Sequence, residues 1–161
     1  MSIYFSTGGY KYANSYKIVK KLIESGINFI ELSGTKYSSD NIEKISKLKD
    51  LAKFQIHNYF PPPKDPIVLN LASFNEEVFN KTFNHILNAL KTCKELGSDF
   101  YSFHAGFLCD VRVSELGKKV EKKELQHRDE SIQLFIERVN KISKIAEDYK
   151  VNLMIENNVL S

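Results

Sequence analysis

Arginine is scarce in this sequence: Arg112, Arg128 and Arg138 are the three in 161 residues, and lysine supplies the rest of a basic total of 23. Arginine is the better bidentate reader of phosphate, so its scarcity argues against a dedicated nucleic-acid surface, and a net charge of +3 is too small to argue for one. The lysines are spread over helical stretches, as solvated outer faces require. Long apolar runs are missing as well. None approaches the ~18 residues that span a bilayer, so no membrane partner is expected. The start, Met1-Ser2-Ile3-Tyr4-Phe5-Ser6, has neither the basic flank nor the apolar stretch of a secretory signal. Cys93 and Cys109 lack metal-ligand spacing, and one disulfide would be an odd staple for a chain with this much core; both read as reduced thiols, which suits a cytoplasmic protein. Hydrophobic residues at 42% and charged residues at 27% are ordinary globular usage and exclude wholesale disorder. A single domain over residues 1–161 fits this length better than two.

What is present is alternation. Short apolar runs at Ile3–Ser6, Ile27–Ser33, Phe54–Phe60, Asp99–Ala105 and Val151–Asn157 read as strands. Between them, Tyr12–Ser25, Asp40–Ala52, Asn75–Leu96 and Asp129–Tyr149 read as helices. The last puts Ile132, Phe135, Ile136, Val139, Ile142, Ile145 and Ala146 on one face. Ser73 and Glu76 have capping-box spacing before the third helix, with Gly97 just past its end, and Gly26 separates the first helix from the second strand. This βαβαβαβαβ order predicts a parallel sheet with right-handed crossovers. A doubly wound sheet usually carries a glycine-rich phosphate loop after its first strand, but Ser6-Thr7-Gly8-Gly9-Tyr10 matches neither known fingerprint. A (β/α)₈ TIM barrel is the competing architecture. Two long loops follow strand C-termini, where barrel sites are built: the stiff Pro61-Pro62-Pro63-Lys64-Asp65-Pro66, and Gly106 to Arg128 with its lysine-rich middle.

Strand parity supplies the chemistry. Successive side chains alternate between faces, so Gln55, His57 and Tyr59 oppose Phe54 and Ile56. Phe100, Ser102 and His104 oppose Tyr101 and Phe103; Asn152, Met154 and Glu156 oppose Val151, Leu153 and Ile155; Glu31 opposes Ile30 and Leu32. Barrel strands turn apolar residues to the helices and mixed residues to the interior. Glu31, His57, His104 and Glu156 would therefore point inward at matched depth near strand ends. Two imidazoles and carboxylate suit Zn²⁺, Mn²⁺ or a similar divalent ion. Taken singly, each has a plainer role: a strand-end histidine held by a hydrogen bond, or Glu31 capping a helix or pairing with a lysine. Their common parity and depth favour a metal site. His85 and His127 read as surface residues, while Tyr59, Phe60 and Phe107 serve either as pocket wall or as core.

At these strands the sequence resembles the xylose isomerase-like barrel superfamily, which includes endonuclease IV and many sugar isomerases and epimerases. Ile56-His57-Asn58-Tyr59-Phe60 followed by Leu69-Asn70-Leu71-Ala72-Ser73 is similar to the segment in which a metal-binding histidine precedes Asn-Leu-Ala/Gly-Ser. Phe103-His104-Ala105-Gly106 resembles Phe-His-Pro-Gly, and Ile155-Glu156-Asn157 resembles Leu-Glu-Asn. The resemblance implies His57, His104 and Glu156 as ligands of a divalent ion (Zn, Mn, Mg or Co), and Phe29-Ile30-Glu31-Leu32 resembles the recurring strand-end glutamate. It further implies Glu156 and Glu31 in catalysis and a sugar or sugar phosphate as substrate; Tyr59 is then a candidate substrate contact, and Lys64 and Arg112, on the two long loops, are candidate phosphate contacts, with plain solvent exposure as the alternative for both. The triple proline and rare arginine resemble the sugar phosphate isomerase/epimerase branch more than the endonuclease, which remains the alternative. Family members draw further ligands from three later strands. A chain with five strands and four helices is thus expected to be the N-terminal portion of a barrel, not closed and with little activity by itself. A non-catalytic barrel piece, or self-association through the open edge, is the third expectation.

Overall fold

The fold, given by a computed structural model, is described for residues 2–10, 13–116 and 124–157. Five strands, β1 (Phe5–Ser6), β2 (Phe29–Leu32), β3 (Lys53–His57), β4 (Phe100–His104) and β5 (Asn152–Glu156), alternate with α1 (Ser15–Glu24), α2 (Asn41–Ser46), α3 (Glu76–Leu96) and α4 (Arg128–Tyr149). All four strand pairings are parallel, and the sheet order is β1-β2-β3-β4-β5. A doubly wound sheet reverses direction at a switch point; a sheet that adds each new strand on the same side is winding into a barrel. The sheet is open, with β1 and β5 as its edges.

Among the described residues, the hydrophobic core lies between one face of the sheet and the helices. Ile30, Leu32, Phe54, Ile56, Tyr101 and Phe103 are almost completely buried and meet Ile18, Val19 and Leu22 of α1, Ile45 of α2, Ile86, Ala89 and Leu90 of α3, and Ile142 and Ala146 of α4. Burying each such side chain is worth about 1.5–3 kcal/mol, so this interface dominates the stability. The opposite face carries Glu31, Gln55, His57, His104, Asn152, Met154 and Glu156, all at least partly open to solvent. Local signals fix the helix ends. Asn14 Oδ1 accepts from the Lys17 N–H at 3.0 Å, and Gly97 closes α3 at φ 68°. No helix among the described residues is long and apolar enough to cross a membrane.

Several elements differ from the sequence expectation. The α2 segment stops at Ser46 instead of Ala52; beyond it Leu48 and Leu51 donate to carbonyls three residues back, and Leu51 stays exposed with nothing to pack on. The cap of α3 is Asn75, whose Oδ1 accepts from Glu77 and Val78, while Ser73 is buried and donates to Asp110 Oδ2 at 2.8 Å. The third strand ends at His57 because Asn58 adopts a left-handed backbone, φ 42°. That turn breaks the alternation, so Tyr59 does not continue the His57 face: its ring lies 6.3 Å from His85 of α3. A cis Phe60–Pro61 peptide follows. The lysine-rich middle of the loop before α4, and Tyr12, lie outside the described residues.

Candidate metal centre

His57, His104 and Glu156 are each the last residue of their strands, β3, β4 and β5. The backbone register steps them. Glu31 pairs with Gln55, His57 with Ser102, and His104 with Glu156, so the shift is two residues at β2–β3, two at β3–β4 and none at β4–β5. In a tilted barrel, points of equal height step by about one residue per strand, since the shear of eight is shared by eight strands. The stepped register therefore brings residues to a common level along the barrel axis. His57 Nδ1 lies 3.3 Å from Glu156 Oε1, His104 Nε2 lies 3.9 Å from Glu156 Oε2, and the imidazole centroids are 5.4 Å apart, edge to face. One donor atom from each residue falls within 4.8 Å of the others.

The donor set fits a divalent ion. Two imidazoles and a carboxylate are a familiar ligand set for zinc, with positions left for water or substrate, and tetrahedral bonds of ~2.0–2.1 Å place donors at separations of this order. Ligands must be neutral or anionic to bind. His104 meets that need, because burial first, and the His57 ring second, push its pKa below the usual histidine value, against the opposing pull of Glu156. Each ring is held at Nδ1: His57 Nδ1 bonds Ser102 Oγ at 2.9 Å, and His104 Nδ1 faces Asn58 Nδ2 at 3.3 Å.

Glu31 sits on the same sheet face, half-buried, and is not among the three clustered donors. Tyr59 lines a hollow of about 140 Å³ with Gly34, Thr35, Pro62 and Pro63, and its hydroxyl accepts from the Leu69 N–H at 3.3 Å. Lys64 is exposed and borders a separate groove with Tyr37, Lys81 and Asn84 on the helical side. Arg112 is exposed at the start of a short 3₁₀ turn, Val113–Glu115. The three donors thus come together, while the other sequence candidates are dispersed over the strand ends and loops.

Of the two histidines that the sequence assigns to the surface, His127 is exposed. His85 is instead buried at 7% exposure, and its Nε2 bonds the Asn58 carbonyl at 2.9 Å. The signal lies in its own helix: position 85 falls between Thr82, Ile86 and Ala89 on the buried stripe of α3. Arg138 is a further residue that the sequence reading misses. It stands on the apolar face of α4, is 6% exposed, and donates to the carbonyls of Leu71 and Ser73 at 2.8 and 2.6 Å. These bonds fix the segment after the proline loop. Asn70 then ties that segment to the loop after β4, accepting from the Phe107 N–H and donating to Asp110 Oδ1, each at 3.0 Å.

A family model described as xylose isomerase-like TIM barrel matches residues 19–158. The chain belongs to this family. Within the xylose isomerase-like barrels, the chain is similar to a probable endonuclease 4 of Aquifex aeolicus, with 43% identity over 63 residues, 38% of this chain and 20% of that protein. A Thermus thermophilus protein soaked with zinc chloride superposes with a TM-score of 0.62 at 18% identity, covering 98% of this chain and 57% of its own. A D-tagatose 3-epimerase-like protein gives 0.59 at 26% identity, covering 83% and 46%. The chain therefore spans about half the length of these two solved structures.

Proposed function

We propose that this chain supplies the N-terminal half of the site of a metal-dependent sugar or sugar-phosphate isomerase or epimerase. The observation that carries the reading is the meeting of His57, His104 and Glu156 donors within 4.8 Å at the ends of three neighbouring strands, where barrel enzymes work. The 26% likeness to a D-tagatose 3-epimerase-like protein supports the substrate class. A divalent ion held there would polarise a substrate carbonyl. Glu156, partly open to solvent, would move a proton at an adjacent carbon or hydroxyl, and Glu31 would orient a substrate hydroxyl. Arg112, exposed on the loop after β4, would be the phosphate contact, whereas Tyr59 and Lys64, turned toward α3 and the helical side, would stand outside the donor site. Activity, substrate and partners belong to the whole protein, and the chain alone is expected to turn over slowly or not at all. Its exposed Met154 and Ile155 on the edge strand β5, with exposed Ile132 and Ile136 on α4, would favour pairing with a further chain. Two unpaired cysteines suit a cytoplasmic setting.

The likeness to endonuclease 4 favours a second reading, a phosphodiesterase acting at abasic DNA with the same donors. Two assays separate the two readings. Ketose and aldose phosphates are offered with and without zinc, manganese, magnesium or cobalt, and an abasic-site duplex is offered with and without chelator. Metal-dependent interconversion of sugars without DNA incision is the expected result. Chelator-sensitive incision would replace the first reading with the second, and metal-independent sugar turnover would refute it.

A further inference from the structure

Asn58 is the most constrained residue near the donors. Its backbone N–H donates to the Ser102 carbonyl at 2.6 Å, and its own carbonyl accepts from the Tyr101 hydroxyl at 3.0 Å and from His85 Nε2 at 2.9 Å. Strand β4 and helix α3 thus hold the residue in its left-handed turn, φ 42°, a conformation that asparagine tolerates better than most side chains. At 2% exposure its side chain has little access to water. The amide points at His104: Nδ2 lies 3.3 Å from the ring Nδ1, while Oδ1 is buried without any hydrogen-bond partner. The two ends of a carboxamide have nearly the same shape, so a half turn about its last side-chain bond exchanges them. Because Oδ1 is committed to no other donor, that turn breaks no bond it makes.

Proton bookkeeping then selects one orientation. A neutral imidazole has one N–H and one lone pair. His104 Nε2 is the nitrogen that faces Glu156, at 3.9 Å from Oε2. For Nε2 to offer its lone pair to an ion shared with Glu156, the proton must sit on Nδ1, and Nδ1–H needs an acceptor. Among the side-chain bonds of His104, Asn58 is the group found at Nδ1. We propose that Asn58 is a positioning residue: its Oδ1 accepts the Nδ1–H of His104 and so fixes the tautomer whose Nε2 lone pair faces the metal site. Outer partners of this kind typically change metal affinity about 10- to 100-fold when removed. The proposal rests on the metal-site reading of His57, His104 and Glu156 but not on the reaction assigned to it.

The test uses the 161-residue chain in three forms: unchanged, Asn58→Gly and Asn58→Asp. Glycine removes the amide without straining a left-handed turn. Aspartate keeps an acceptor and loses the donor, so it rescues only if the oxygen is the end that matters. Long-range proton–nitrogen NMR of the metal-free chain, taken where the imidazoles are neutral, reads which nitrogen of His104 carries the proton. Competition with a chromogenic chelator reads zinc affinity. The expected result is Nδ1–H in the unchanged chain and in Asn58→Asp, a shift toward Nε2–H in Asn58→Gly, and zinc binding at least about tenfold weaker in Asn58→Gly alone. A His104 protonated on Nε2 in the unchanged chain would overturn the proposal, as would Asn58→Asp behaving like Asn58→Gly. Should Asn58→Gly fail to fold, the unchanged chain's tautomer and the aspartate variant still decide. Failure of the unchanged chain to bind zinc would refute the metal-site reading, whereas the NMR spectrum judges the role of Asn58 independently.

Discussion

Replacing Arg138 by methionine should cost this fold more than any other single change at a charged residue. The guanidinium donates to two carbonyls, Leu71 at 2.8 Å and Ser73 at 2.6 Å, lies 3.8 Å from the Phe79 ring centre, and reaches Glu76 Oε1 at 3.2 Å. Hydrogen bonds to a charged donor are worth about 1.5–3 kcal/mol each, and leaving a buried carbonyl without a donor costs about 1–3 kcal/mol. The stack on Phe79 adds roughly 0.5–2 kcal/mol depending on desolvation. The Glu76 arm is 74% exposed, so its ion pair contributes at most about 1 kcal/mol. Methionine restores the apolar stem, which offsets part of the loss, and what remains, two lost charge-assisted bonds and two carbonyls without a donor, comes to a net of about 3–5 kcal/mol. That is a large share of the ~5–15 kcal/mol that holds a domain together. Urea denaturation followed by circular dichroism measures it. Glu76→Gln serves as the control and should lose less than about 1 kcal/mol. If Arg138→Met unfolds within about 0.5 kcal/mol of the parent, the range typical of an ordinary surface position, the buried guanidinium does not organise this loop.

Two further outcomes can be measured on the same chain. Burial depresses the pKa of His85 below its ordinary 6.5, with the bond to the Asn58 carbonyl opposing the shift more weakly, so the unfolded chain takes up the proton first as pH falls. The contribution of His85 should be constant above about pH 6.5, decline below it, and level off beneath the folded-state pKa, so His85→Gln, which keeps a donor, should flatten that part of the slope. An unchanged slope in His85→Gln would refute this origin. Gly106→Ala should destabilise by about 1–3 kcal/mol, since φ is +118° and a Cβ would stand 2.9 Å from Asn70 Oδ1, whereas Gly97→Ala, at φ +68° with open space around it, should lose only about 1 kcal/mol. Equal losses in urea melts would show that the close approach to Asn70 is unimportant.

The period-two pattern is clearest in β2 and β3, where one face is buried and the other is not: Ile30 and Leu32 against Glu31, Phe54 and Ile56 against Gln55 and His57; it fades in β4, where Ser102 is also buried, and in β5, where Ile155 is exposed. The three clustered side chains are legible in sequence only jointly, from their common parity and their common place at strand ends. Helix α2 is overestimated from sequence because the apolar rhythm runs on through Leu48 and Ala52, which do pack on the core, although the backbone has left the α-helix after Ser46 and Leu51 is exposed. The groups around the donors are harder to see. Nothing local distinguishes Asn58 from any residue between two strand positions; its left-handed turn is imposed by Ser102, Tyr101 and His85, distant in sequence. Arg138 and His85 do leave a trace, each as one polar residue within an apolar helical stripe, and both are buried and hydrogen-bonded there.

Because the helices cover one side of the sheet and the donors occupy the other, adjacent residues on a single strand answer to separate demands. Ile56 and Phe103 are held by packing, and His57 and His104 one position later are not. Variation on the donor-bearing side can therefore retune what is bound without eroding the hydrophobic layer that keeps the chain folded. A scaffold partitioned in this way can acquire a new chemistry through a handful of exchanges at alternate positions.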